Sequence, residues 1–198
     1  MVISEDILFS HGAKIQTYSA GDYIFHEGTA AKNYLQILSG TVKLNNFMED
    51  GKEFVHGFPF KGHCIGESYL FTENLYGINA VAVTACEIIR LEKEIFMKLI
   101  RTEPDFMLKV SRYTADRLHF RYLISTFLSI TDPLIKLQKL LDHIKGYFGF
   151  DTKFSFEVQY TRSQLATLAG LRVETVIRTI KKMEAQNLVK IHNSKIFY

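Results

Sequence analysis

Apolar and polar residues alternate in short runs from Ile15 to Leu91, in segments such as KIQTY, DYIF, YLQIL, TVKLNNF, EFVHGF, NAVAV and EIIRL. A period of two marks a strand with one buried face. Turn signals separate the runs: Ala20-Gly21-Asp22, Glu27-Gly28, Ser39-Gly40, Glu49-Asp50-Gly51 and Lys61-Gly62. Many short strands at this spacing predict an all-β sandwich or barrel. The period changes after Leu91. Glu92 to Arg101 reads as a short helix, and a longer helical pattern runs from Pro104 to about Ser129. Phe106, Val110, Tyr113, Arg117, Phe120, Ile124 and Phe127 recur there at alternating steps of four and three, the heptad of a coiled-coil seam. Phenylalanines left exposed along that seam would be a liability, so the pattern fits either a homodimer with Phe106, Val110, Tyr113, Phe120, Ile124 and Phe127 at its interface or an amphipathic helix packed only on its own domain. Arg117 is the odd member, expected off the seam or paired with Asp116 or Glu103.

Asp132-Pro133 ends that helix and starts the next, because proline suits a first helical turn. Leu134, Leu137, Leu140, Leu141 and Ile144 give the new helix an apolar face, and GYFGFDTKFSFEVQY is expected to hold a small β-hairpin. Thr161 with Gln164 three residues on is a capping-box signature. Leu165, Leu168 and Ala169 then form a short apolar face, and Gly170 supplies the break of a helix–helix corner. A second helix is expected from near Arg172 to about Gln186. At about 100° per residue, Val176, Ile180 and Met183 share its inner side. Glu174, Arg178 and Lys181 share another side, with Ile177 between them and Val173 at the boundary. Such a face can read a DNA major groove, since arginine forks onto guanine O6/N7 and glutamate accepts from cytosine N4. Helix spacing alone equally allows a solvated Glu174–Arg178 pair one turn apart. NLVKIHNSKIFY closes the chain as a two-stranded wing turning at Asn193-Ser194.

The run ETVIRTIKKMEAQNLV resembles the recognition helix and wing entry of the Crp–Fnr family of bacterial transcription regulators. The resemblance implies base reading by Glu174 and Arg178 and a phosphate contact from Thr175. Its full expected DNA-contacting set is Thr161, Arg162, Ser163, Arg172, Val173, Glu174, Thr175, Ile177, Arg178, Lys181 and Lys182. Val173 precedes the glutamate, as in the fumarate–nitrate regulator branch, where the cyclic-AMP receptor branch has arginine. A TTGA-type half-site is therefore implied rather than TGTGA. Ile177 stands where a small residue is usual, and Arg172 where a Ser or Thr N-cap is usual. Further upstream, YSAGDYIFHEG and YLQILSGTVKL resemble the opening strands of the cyclic-nucleotide-binding jelly roll. GESYLFTENLYGINAVAVTAC resembles that roll's phosphate-binding cassette, with Gly66, Glu67, Ser68, Gly77 and Ile78 as effector-pocket candidates. Gly66-Glu67 keeps the motif's start. The phosphate-holding arginine falls on Gly77 and its hydroxyl neighbour on Ile78, and no basic residue lies between Glu67 and Arg90. A half-buried phosphodiester needs a countercharge, so cyclic AMP and cyclic GMP are expected not to bind.

Composition adjusts this picture only at its edges. In the 198 residues, 47% apolar content suffices for ordinary cores, and no apolar run is long enough to span a membrane. The start MVISEDILFSHGAK lacks a signal peptide's basic and apolar blocks. Cys64 and Cys86 suit a reducing cytoplasm and fall short of the four thiolates of an iron–sulfur cluster. Net charge is +3, but residues 132–198 carry 11 Lys/Arg against 6 Asp/Glu and residues 1–131 carry 13 against 15. A basic C-terminal third on a neutral body suits a DNA-binding module joined to a sensor. His56, His63 and Glu67 suggest a cupin-like metal enzyme, but the H-x-H pair that marks one is missing. His11 and His26 are candidate ligands for a sensed haem.

The expected architecture is α+β: a cyclic-nucleotide-binding-like β jelly roll over 1–103, a long dimerisation helix and hinge over 104–131, and a winged helix-turn-helix over 132–198. The expected function is that of a cytoplasmic, homodimeric, sequence-specific regulator on palindromic double-stranded DNA, not an enzyme. RNA polymerase is its expected partner, no cofactor or metal is assigned, and the small-molecule effector is unidentified. The alternatives are a haem- or other ligand-sensing regulator of the same fold, and the metal-dependent β-roll enzyme.

Overall fold

The computed structural model describes residues 1–51 and 53–198. It divides into two compact units, Met1–Leu118 and His119–Tyr198, with the division inside the long helix.

Unit one begins with a short helix α1 (Glu5–Ser10), which buries Leu8. Eight strands follow: β1 (Lys14–Tyr18), β2 (Tyr23–Phe25), β3 (Asn33–Ser39), β4 (Val42–Phe47), β5 (Glu53–Gly57), β6 (Cys64–Ile65), β7 (Asn79–Ala82) and β8 (Cys86–Glu92). They form two four-stranded antiparallel sheets, in the orders β1-β8-β3-β6 and β2-β7-β4-β5. This is the all-β sandwich that the period-two runs predict, in the jelly-roll form that the resemblance implies. β3 and β8 lie in the middle of one sheet, in a register that sets Ile37 against Ile88, and both isoleucines are fully buried. Helix α2 (Lys93–Thr102) closes the roll with Phe96, Leu99 and Ile100 turned inward. Phe96 stacks on Tyr34 at 4.5 Å between ring centroids. Tyr34 donates its hydroxyl to Gln36 Oε1, which also takes the Ile3 N–H, while Gln36 Nε2 donates to the Ile3 carbonyl. A fully buried glutamine is thus satisfied by the chain's own N-terminal segment, as a buried amide must be.

Helix α3 (Pro104–Leu128) crosses from one unit into the other. In unit two, α4 (Pro133–Tyr147) starts as its Asp-Pro signal predicts, with Asp132 Oδ1 accepting from the Leu134 and Ile135 N–H groups. Helices α5 (Arg162–Ala169) and α6 (Val173–Ala185) and the hairpin β9 (Lys190–His192) with β10 (Lys195–Phe197) complete it. The hairpin expected within residues 146–160 is absent. Phe156 and Val158 instead bond to Tyr198 and Ile196, adding a third, short strand to the wing. The reason is packing: Phe156 is 2% exposed beneath Phe148 and Phe150, and pairing with β10 is what brings it inward.

Candidate nucleic-acid interface

The α5–α6 corner follows from three local devices. Thr161 Oγ1 accepts from the Gln164 N–H at 3.2 Å while Gln164 Oε1 accepts from the Thr161 N–H at 2.8 Å, closing the capping box. Gly170 holds φ 61°, and a Cβ there would sit 2.8 Å from Leu128 Cδ2, so this corner requires glycine on both counts. Leu165, Leu168 and Ala169 are buried with Val176, Ile180 and Met183 of α6, as their spacing predicts. Arg172 occupies the α6 N-cap and makes no side-chain cap bond. At the other end Asn187 takes φ 57° and the Leu188 N–H reaches the Met183 carbonyl, turning the chain into β9.

That packing leaves one face of α6 in solvent. Arg172, Glu174, Arg178, Lys181 and Lys182 are exposed, Ile177 is 38% and Val173 36% exposed, and Thr175 is half-buried. No ion pair joins Glu174 to Arg178 among the described residues, which leaves the carboxylate and the guanidinium open to a ligand. Thr161 and Ser163 are also exposed at the start of α5. Arg162 is different: its Nη1 donates to the Ser194 carbonyl at 3.0 Å, inside the wing turn.

In unit one, Gly66 holds φ 68° and leads into a single 3₁₀ turn, Glu67–Phe71. A Cβ on Gly66 would lie 2.6 Å from the Tyr76 ring, so the motif's glycine is required by space as well as by conformation. Glu67 is 3% exposed, and its carboxylate is already satisfied. Thr114 Oγ1 donates to Oε1 at 3.2 Å and Arg117 Nη1 reaches Oε2 at 3.2 Å, both from α3. Arg117 therefore pairs with Glu67, not with Asp116 or Glu103. Tyr113 donates its hydroxyl to the Cys64 carbonyl beside it. The rest of the cassette is filled by rings. Phe25 stacks on Tyr76 at 3.9 Å, and Tyr69 meets Tyr76 edge-on at 5.2 Å. Burial pushes the Tyr76 hydroxyl up to about 12. Gly77 is exposed with its carbonyl held by Asn46 Nδ2, and a Cβ there would stand 3.0 Å from the Tyr69 hydroxyl. Ile78 points into the core, and Ser68 faces solvent.

Helix α3 covers the expected seam residues within the chain. Val110 and Tyr113 are 1% and 8% exposed within the roll's own core, with Phe106 partly buried against it. Phe120 stacks on His143 at 5.1 Å, Ile124 is half-buried and Phe127 is 7% exposed. These residues are covered within a single chain. The opposite face carries Leu108, Leu118 and Tyr122 at 67%, 49% and 64% exposure, with exposed Ser111 and Ala115 completing the same alternation of three and four. The helix has two heptad stripes, and the more apolar one went inward.

The histidines have ordinary partners. His11 Nδ1 lies 2.8 Å from the Ile7 carbonyl, His26 stacks on Tyr23, His56 Nε2 meets Asn46 Oδ1, and His63 packs against Phe60 and Tyr113. Among the described residues, no group of three or more His, Cys, Asp or Glu side chains is placed to hold a metal ion. No described helix is long and apolar enough to cross a membrane.

Comparison with known proteins matches this division of labour. Residues 15–103 match the cyclic nucleotide-binding domain, and residues 134–197 match the Crp-like helix-turn-helix domain. The cAMP-activated global transcriptional regulator CRP of Salmonella typhimurium is 30% identical over 186 residues, covering 92% of this chain and 88% of that protein. Among solved structures, a mutant of CooA from Carboxydothermus hydrogenoformans has a TM-score of 0.77 at 16% identity, over 98% of this chain and 87% of that one. The c-di-GMP-responsive global regulator CLP of Xanthomonas campestris has a TM-score of 0.71 at 21% identity, over 97% and 96%. The two structures share the fold; the response to c-di-GMP is CLP's own.

Proposed function

The chain belongs to the Crp–Fnr family of transcription regulators, and from that premise we propose a homodimer that reads a near-palindromic TTGA-type site without a cyclic nucleotide. The observation that carries the reading is the unpaired Glu174 and Arg178 on the solvent face of α6, held there by the buried Val176, Ile180 and Met183. Two copies of α6 then enter adjacent major grooves about 34 Å apart. Val173 beside Glu174 favours TTGA over TGTGA. Arg172, Thr175, Lys181 and Lys182 contribute contacts to the phosphate backbone, which position the helix without selecting sequence. RNA polymerase is the partner such a regulator engages, in the cytoplasm.

The dimer forms through the exposed stripe of α3, where small Ser111 and Ala115 let two helices approach and Leu108, Leu118 and Tyr122 supply apolar area. Independence from cyclic nucleotides is supported from two sides. The position that would carry a phosphate-binding cation is Gly77, and Glu67 is already committed to Arg117 and Thr114. A nucleotide would have to displace that buried pair and the stacked Phe25 and Tyr76 rings, with no new cation to offset the phosphate.

Selection from a random duplex pool by nucleotide-free protein tests the reading. An enriched inverted repeat of TTGA with a spacer of about six base pairs is expected. No enrichment, or enrichment of TGTGA only when cyclic AMP is added, contradicts it.

A further inference from the structure

Arg162 stands at the start of α5, where the resemblance implies a DNA contact, yet its guanidinium is engaged within the protein. Nη1 donates to the Ser194 carbonyl at 3.0 Å, across 32 positions of sequence. Ser194 sits in the turn between β9 and β10. His192 and Lys195 pair across that turn, so Asn193 and Ser194 form a two-residue loop, with φ 49° and 64°. A turn with both central residues at positive φ is type I′, whose twist suits an antiparallel hairpin but which favours Asn-Gly. Asparagine tolerates the left-handed region; serine has no such excuse, and a bond to its carbonyl offsets the cost of holding it there. Lys195, the cation on the turn's other shoulder, is bound to Glu157 at 2.6 Å.

We propose that Arg162 is a positioning residue that locks the wing turn to the start of α5, and that it acts on DNA through the wing's shape and not through a phosphate contact. The inference rests on the DNA-binding reading above. It ties the helix-turn-helix and the wing into one surface. The Asn193-Ser194 backbone is then presented to the duplex in a fixed conformation, which lowers the ordering cost of binding.

The test compares Arg162→Ala, Ser194→Gly and the double variant with the wild type. The first readout is DNA-free: amide shifts and hydrogen exchange for His192 to Lys195. The second is the affinity for a TTGA inverted repeat as a function of salt. Arg162→Ala is expected to perturb those four amides without DNA and to weaken binding about 5- to 10-fold with the salt slope unchanged, since no phosphate contact is lost. Adding Ser194→Gly, which suits the type I′ turn, is expected to restore affinity to within about twofold. Unmoved amides, a slope shallower by about 0.9 and no rescue by glycine would overturn the proposal in favour of a direct phosphate contact. Because the amide readout needs no DNA, failure of the wing contact is separable from failure of the DNA-binding reading.

Discussion

Glu174 and Arg178 make the base-reading role testable one side chain at a time. Arg178→Ala is expected to cost about 1–3 kcal/mol on the specific site and to relax selection at one guanine per half-site. Lys181→Ala or Lys182→Ala should instead weaken all duplexes alike and shallow the salt slope. Fluorescence anisotropy on specific and scrambled duplexes separates the two patterns, and equal losses on both for Arg178→Ala would remove its assigned role. A second prediction concerns His63. Burial first, then the nearby Arg117 and N-terminal charges, lowers its pKa from 6.5 to about 4. The unfolded chain therefore takes up a proton near pH 6.5 that the folded chain refuses until about pH 4. Stability from this group is complete above pH 6.5 and declines as pH falls toward 4, by up to roughly 3 kcal/mol. His63→Gln should lose that part of the acid sensitivity in denaturant melts across this range. Identical pH slopes for the two proteins would contradict it. The shift was not visible at residue 63 itself, because its burial and the nearness of the Arg117 charge are set by the fold and by no local spacing rule.

Helix α3 shows how a periodic stripe can be read without its neighbour being fixed. Its limits followed from Pro104 and Asp132-Pro133, and its heptad was real. Periodicity reports that a stripe is buried, not which chain buries it. The stripe of Val110 and Tyr113 fills its own roll, and Leu108, Ala115, Leu118 and Tyr122 on the other face are exposed, the face proposed above for a second copy. The two faces predict different failures. Ala115→Glu with Leu118→Glu should give a folded monomer in sedimentation equilibrium, whereas Val110→Glu should unfold the roll by placing an unpaired charge in its core. A folded, dimeric Ala115/Leu118 double variant would refute the assignment. The Glu67–Arg117 pair supplies a companion test on the same helix. Glu67→Gln leaves a guanidinium without its counterion, and a loss of about 2–4 kcal/mol of stability is expected in urea unfolding. An effector site whose glutamate waited for a ligand would tolerate that change in the free protein. The capping box at Thr161, the Gly170 corner and the wing turn were all legible because each is set by residues within a few positions. Arg162–Ser194 and Glu67–Arg117 were not, because they join positions 32 and 50 apart.

For the whole molecule, the arrangement of charge and of filled space tells one story. Basic residues gather after Asp132 where α5, α6 and the wing lie, while the roll is near neutral and its cassette is packed with Phe25, Tyr69 and Tyr76. The roll was legible as a class of fold, since alternating runs and glycine turns dictate short antiparallel strands. Its jelly-roll form was supplied by resemblance, because period-two runs do not specify which strand pairs with which. The erosion of the pocket was legible as an absence, at Gly77. The internal Glu67–Arg117 pair and the stacked rings of the cassette required three dimensions. On the proposed reading, this regulator binds its palindrome with no nucleotide present. The most direct test is a titration of purified, nucleotide-free protein into a labelled TTGA inverted-repeat duplex and a scrambled control at about 150 mM salt, repeated with saturating cyclic AMP. A preference on the order of 10³-fold or more, unchanged by the nucleotide, is expected. Equal affinity for both duplexes until cyclic AMP is added would contradict it.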